Sequence, residues 1–199
     1  MPRTEEQNQA LRAATRERVT RSALRLFASH GYAATSVRDI AREAGLSTGV
    51  LYRHYPTKEA LFAELVAQGA EGLRHAARAF DTASSPEEAI REFTEGMLTD
   101  LRSDAGFGEF FQLMNQAFTL PDPPDEVREL IRQHIALVGA IERLVARGQR
   151  AGCFRDGDPK ELATCYFAAV GGLAALPRNA AFTLPTADVL VGFLTGDDR

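Results

Sequence analysis

The chain has 199 residues, 45% hydrophobic and 25% charged, with 16 glycines and 9 prolines; this is the composition of a globular protein and excludes a disordered or collagen-like one. Its net charge of −4, from 23 basic and 27 acidic side chains, argues by itself against a polyanionic partner. That average hides two halves of opposite sign: residues 1–62 hold ten basic and six acidic side chains, and residues 63–199 hold thirteen and twenty-one, so the first part is suited to a polyanion and the second to another task.

Apolar spacing is helical almost throughout and no stretch alternates with period two, which predicts an all-α fold of about nine helices. Val19, Ala23, Leu26 and Phe27 line a first helix that Gly31 ends in the left-handed region. Ser36 and Asp39 form a capping box for a short second helix ending at Gly45, and Ser47 opens a short third helix reaching His54. Pro56-Thr57 closes that helix and caps a long fourth one carrying Leu61, Phe62, Leu65 and Val66. Ser85-Pro86-Glu87-Glu88 starts a fifth helix with Ile90, Phe93, Met97 and Leu101. A sixth, aromatic helix spans 107–118 and stops at the proline cluster 121–124, and a seventh carries Val127 to Val145 before Gly148 and Gly152. Asp158-Pro159-Lys160-Glu161 opens an eighth helix, and a ninth follows Pro185. No repeat of fixed period argues for a solenoid.

Residues 36–54 read as a capped short helix, a Gly45-Leu46 turn and a second capped short helix. Periodicity alone leaves an ordinary helical hairpin and a helix-turn-helix equally open. The helix-turn-helix needs small buried faces and a tight turn, because one helix must hold the other in the major groove. Ile40, Ala41 and Ala44 supply the small faces, Gly45 the positive φ, and Leu46 and Val50 the plug between helices. Ser47, Thr48, Gly49, Tyr52 and Arg53 are left facing outward, with Gly49 allowing close approach to a groove. Free amides at Ser36, Ser47 and Thr57 would aim at phosphates.

The string of residues 19–62 closely resembles the N-terminal domain of the TetR family of bacterial transcriptional regulators. Ala23, Phe27, Gly31, Thr35-Ser36-Val37, Ile40-Ala41, Ala44-Gly45-Leu46-Ser47, Gly49, Leu51-Tyr52, His54-Tyr55, Lys58-Glu59 and Leu61 carry the likeness. The resemblance implies a three-helix DNA-binding domain at 1–62 and a helical regulatory and dimerisation domain at 63–199. It also implies that Arg38, Thr48, Gly49 and Tyr52 approach the major groove of a palindromic double-stranded operator, while Thr35, Ser36, Ser47, Tyr52, His54, Tyr55 and Lys58 hold phosphates. Arg38 and Arg53 are candidates for bidentate reading of guanine, with phosphate contact or solvation as the alternative for each. Tyr55 is also a candidate core residue. Arg3, Arg12 and Arg16 could add contacts from an N-terminal arm, or form a solvated tail.

In the acidic half, Phe107, Phe110, Phe111, Met114 and Phe118 form one continuous helical stripe. With Met97, Leu101, His134, Cys165 and Tyr166 they could line a chamber for a small apolar effector, or simply form core; a ligand-binding domain is what the resemblance implies. The eighth helix places Thr164, Ala168, Gly171, Gly172 and Ala175 on one side, and the ninth adds Val189, Leu190, Phe193 and Leu194. Glycines in a helix interior call for a close neighbour, so these two helices are expected to join a two-fold homodimer. The mechanism implied is repression relieved or reinforced by ligand, with the fourth helix as lever.

Other classes find less support in the residues. No G-x-S-x-G, P-loop or H-E-x-x-H motif occurs, and the four histidines are scattered; no enzyme, metal site or cofactor is expected. Cys153 and Cys165 make no CxxC pair, the first residues contain no apolar leader, and the longest apolar stretch, 162–176, is broken by Gly171-Gly172. A cytoplasmic protein with no membrane partner is therefore expected. A helical protein-interaction or ligand-binding module without sequence-specific DNA binding is the remaining alternative.

Overall fold

A computed structural model describes residues 5–103, 106–176 and 182–196. Among these, the elements are α1 (Glu5–His30), α2 (Val37–Glu43), α3 (Thr48–His54), α4 (Lys58–Thr82), α5 (Pro86–Ser103), α6 (Phe107–Phe118), α7 (Asp125–Ala151), α8 (Pro159–Ala175) and α9 (Ala187–Thr195), with no strand. The helix starts follow from local capping chemistry. Ser36 accepts a hydrogen bond from the Asp39 amide while Asp39 accepts from the Ser36 amide, both at 3.2 Å. Thr57, Ser85 and Asp158 cap α4, α5 and α8 by accepting from Ala60, Glu88 and Lys160. Gly31 and Gly45 adopt φ of +81° and +62°, the left-handed turns that end α1 and follow α2.

The chain forms two compact units divided between Ala67 and Gln68. The division lies inside α4, beyond residue 62, because Leu65 and Val66 are still buried. In the first unit Val19, Ala23 and Phe27 of α1, Ile40 and Ala41 of α2, Leu51 of α3 and Leu61 of α4 are all buried. Phe27, Tyr32 and Phe62 pack mutually in tilted and edge-on arrangements with ring centroids 4.7–5.6 Å apart.

The second unit packs α5, α7, α8 and α9 with the later turns of α4 around Phe80, Ile90, Met97, Leu137, Ile141, Tyr166 and Leu190. A buried polar pair in this core is satisfied internally: Tyr166 and Thr94 hydroxyls lie 2.7 Å apart, and Thr94 donates to the Ile90 carbonyl at 2.6 Å. The end of α4 is held from α7, where Arg143 makes a bidentate pair with Asp81 at 2.9 Å and Arg147 donates to the Asp81 and Ala83 carbonyls.

Burial pushes the Tyr166 hydroxyl up to about 12, against the opposing pull of its bond with Thr94. The neutral phenol is thus favoured by the fold, and its contribution is complete below pH 10 and lost as pH rises through about 12. Tyr166→Phe should cost about 1 kcal/mol at neutral pH, since Thr94 keeps its carbonyl partner. In urea titrations the variant's loss of stability above pH 10 should be shallower than that of the parent.

Candidate nucleic-acid interface

α2 and α3 have seven residues each, too short to be stable by themselves. α2 is held by the buried Ile40 and Ala41, and α3 by Leu51, which is 1% exposed; Val50 is only half-buried. The turn between them closes through Leu46 N–H donating to the Ala41 carbonyl at 2.8 Å. From α1, Arg18 donates to the Ala44 carbonyl at 2.6 Å, so a guanidinium satisfies the end of α2 where the helix leaves carbonyls unpaired. Nothing local in the sequence marks Arg18 for this role, because its partner lies 26 residues away. Ser47 accepts from the Val50 amide and opens α3.

The C-terminal end of α3 is clamped by a second set of contacts. Tyr55, the residue after α3, is buried; its hydroxyl donates to Glu64 at 2.8 Å, Arg16 pairs with the same carboxylate, and the Arg16 guanidinium lies 4.8 Å from the Tyr55 ring centroid. Burial and Glu64 push the Tyr55 hydroxyl up to about 12. Lys58, at the start of α4, donates to the Tyr32 and Thr35 carbonyls at 2.9 Å and sits over the Tyr32 ring. Tyr32 in turn donates to Glu59.

These contacts engage three of the expected phosphate ligands within the protein's own architecture, and for Tyr55 they favour the core alternative. Thr35 is 2% exposed and its hydroxyl donates to the Gly31 carbonyl at 2.8 Å; Tyr55 is core with its hydroxyl on Glu64; and Lys58 spends its ammonium on internal carbonyls. Each holds the architecture together. The N-terminal arm is corrected, since Arg12 and Arg16 belong to α1 and Arg16 is paired with Glu64; Arg3 lies outside the described residues.

The remaining candidates are exposed or half-exposed. On α3, Gly49, Tyr52 and Arg53 are exposed, Tyr52 by 52%, and Thr48 is half-exposed. Ser36, Arg38 and Ser47 are exposed as well. Arg38 and Arg53 have no ion-pair partner among the described residues, whereas Arg42 pairs with Asp39. A β-carbon on Gly49 would meet no heavy atom within 4 Å, so the protein itself does not require glycine there. His54 is half-buried, and desolvation followed by the charges of Arg16, Arg53 and Arg12 holds its imidazole below the usual histidine range. Burial contributes most to that depression, and the three arginines add to it.

The proposed chamber residues of the second unit differ in burial and in neighbours. Met97, Leu101, Phe107 and Tyr166 belong to the closed core or pack against it. Phe110 lies against Gly69 and Phe111 against Gly171, while Met114 is buried. Phe118 is 40% exposed and meets His134, which also meets Phe167, at centroid distances of 4.8 and 5.0 Å. His134 Nδ1 is buried with no partner among the described residues. Cys165 is exposed, so it is no part of an interior wall: its phase on α8 turns it away. A cleft of about 600 Å³ opens elsewhere, between the end of α4 and the start of α5, lined by Ala76, Phe80, Ala83, Ser85, Ala89 and Phe93.

The proposed dimer residues divide by helical phase. Ala168, Gly172 and Ala175 form an exposed stripe of α8 with Thr164 and Cys165, and Val189 and Phe193 are exposed on α9. Gly171 is buried against Phe111, and Leu190 and Leu194 are buried in the core of their own unit; these three cannot lie on a partner-facing surface. Among the described residues no three histidine, cysteine or acidic side chains gather as metal ligands, and no helix is long and apolar enough to cross a membrane.

Residues 19–65 match the family model described as bacterial regulatory proteins, tetR family. The chain is 28% identical over 167 residues to the HTH-type transcriptional repressor Rv1474c of Mycobacterium tuberculosis, covering 83% of this chain and 81% of the relative. Among solved structures, the TetR family transcriptional regulator PfmR from Thermus thermophilus superposes with a TM-score of 0.67 at 23% identity over 91% of this chain and 99% of the other. AibR, solved with isovaleryl coenzyme A and operator DNA, superposes with a TM-score of 0.69 at 20% identity over 90% and 98%.

Gly45 carries a testable constraint. Its β-carbon position is unobstructed, with Arg18 Nη2 3.7 Å away, so substitution meets only the cost of φ +62°. Gly45→Ala should lower stability by about 1–2 kcal/mol, and Gly45→Asn, which tolerates that conformation better, by less. Thermal denaturation of the two variants checks the order.

Proposed function

The chain belongs to the TetR family of bacterial transcriptional regulators, and on that premise we propose that it represses by placing α3 in the major groove of a palindromic operator, as one of a two-fold pair of chains. The observation that carries this reading is the division of labour on α3. Leu51 anchors the helix, and Thr48, Gly49, Tyr52 and Arg53 face outward with no structural duty. Arg53 and Arg38, without an ion-pair partner among the described residues, present guanidinium forks for guanine edges or phosphates, and Ser36, Ser47 and His54 flank them for the backbone.

The homodimer is supported by the exposed stripe of α8 and by Val189 and Phe193 of α9. Small side chains along Thr164, Cys165, Ala168, Gly172 and Ala175 allow two copies of α8 to approach closely, and isologous pairing would present two readers about 34–36 Å apart on successive grooves. A small apolar effector held in the second unit would act by binding the operator-competent and the operator-released states with different affinity, a coupling typically about 1–3 kcal/mol. AibR, solved with both an acyl coenzyme A and operator DNA, is a relative in fold that supports this arrangement. Regulation in the cytoplasm, without catalysis, is the activity proposed.

Gly49→Ala separates the reader from the scaffold. The added methyl meets nothing in the protein, so α3 should gain about 1 kcal/mol of stability from the better helix former. Affinity for the operator duplex should nevertheless fall by about tenfold or more, a loss of roughly 1.4 kcal/mol. Fluorescence anisotropy beside a thermal melt gives both numbers; unchanged affinity in the stabilised variant contradicts a close approach to DNA at this residue.

A further inference from the structure

The cleft between the end of α4 and the start of α5 exists because the side chains that face it are too short to fill it. Ala76 and Ala79 of α4, Ala83 of the connection and Ala89 of α5 each offer one methyl group. Phe80, which is buried, and Phe93, which is half-buried, supply an aromatic wall, their rings meeting edge to face with centroids 5.1 Å apart. The volume of about 600 Å³ falls within the range of small-molecule sites.

Glu88 and Glu92 carry the only formal charges of the lining, and both are exposed. They stand one helical turn apart on α5, where like charges repel. Neither carboxylate has an ion-pair partner among the described residues. Arg91, Arg143 and Arg147, around this end of the two helices, are committed elsewhere: to Glu87 and Asp188, to Asp81, and to the Asp81 and Ala83 carbonyls. We infer that the cleft binds an organic cation of the quaternary or aryl ammonium class, its apolar body against the alanine methyls and phenylalanine rings and its charge beside Glu88 and Glu92. Aromatic faces attract a cation through their quadrupole, and the carboxylates add Coulomb attraction. A neutral apolar molecule in the same space would strip water from the carboxylates without replacing it, and an anion would be repelled. The site lies wholly in the second unit, uses no residue of the aromatic stripe of α6, and does not depend on the chain's binding DNA.

The test is calorimetric titration of the full-length protein with benzyltrimethylammonium, benzyl alcohol and benzoate. The cation should bind at least about tenfold more tightly than the alcohol, and benzoate should not bind. Glu88→Gln with Glu92→Gln, which keeps the shape of the wall, should weaken the cation by about tenfold, the worth of two exposed ion pairs. Glu95→Gln, which removes the same charge from α5 outside the lining, should leave its affinity unchanged. Ala89→Leu, if its melt shows it folded, should abolish binding by filling the space. A cation that binds no better than the alcohol, or equally well to the double glutamine variant or to folded Ala89→Leu, overturns the inference. So does a change of oligomeric mass in either of these variants by sedimentation, which would make the cleft an interface between copies of the chain instead.

Discussion

A seven-residue helix is not stable in water, so α3 exists only through what holds it from outside. One buried leucine contributes about 1.5–3 kcal/mol, less than the ordering of such a segment requires. The balance comes from both ends: the Ser47 cap and the Arg18-satisfied turn before it, and the Tyr55–Glu64–Arg16 cluster after it. Because the anchoring is confined to Leu51 and the termini, the outer face carries no structural load and can be read by a partner.

The same economy organises charge. Acidic side chains of the first unit are engaged in its architecture: Asp39 with Ser36 and Arg42, Glu59 with Tyr32, and Glu64 with Tyr55 and Arg16. Arg38 and Arg53 stay on the surface with no ion-pair partner among the described residues, and Arg12, Arg16 and Arg53 add to the burial that depresses His54. A net negative chain can thus present a local surface suited to a polyanion, and binding there should weaken steeply with salt as condensed counterions are released.

Helix boundaries were legible because their signals are local. The Ser36–Asp39 box, Ser85-Pro86 and Asp158-Pro159 each state a helix start within four residues, and Gly31 and Gly45 state where the chain must turn. The outward face of α3 was legible for the same reason, since a single helix turn separates Leu51 from its exposed neighbours. The inward roles of Thr35 and Lys58 were not, because the family pattern marks these residues without saying which way they point, and for Tyr55 core was legible only as one of two alternatives. Lys58 reaches carbonyls 23 and 26 residues away. On α8 the failure has a different cause: its mean hydropathy is high and its polar contrast low, so periodicity could not separate the buried Gly171 from the exposed Gly172. The aromatic stripe of α6 was visible, but not its glycine seats, which lie about forty and sixty residues away in the chain.

The central claim is that a rigid, exposed α3 is presented twice by symmetric chains. Selection of bound duplexes from a random pool, followed by sequencing, tests reader and symmetry together. The account predicts an inverted repeat whose half-sites are centred about 10 base pairs, or a multiple of that, apart. Recovery of no enriched sequence, or of a single asymmetric site, would contradict it.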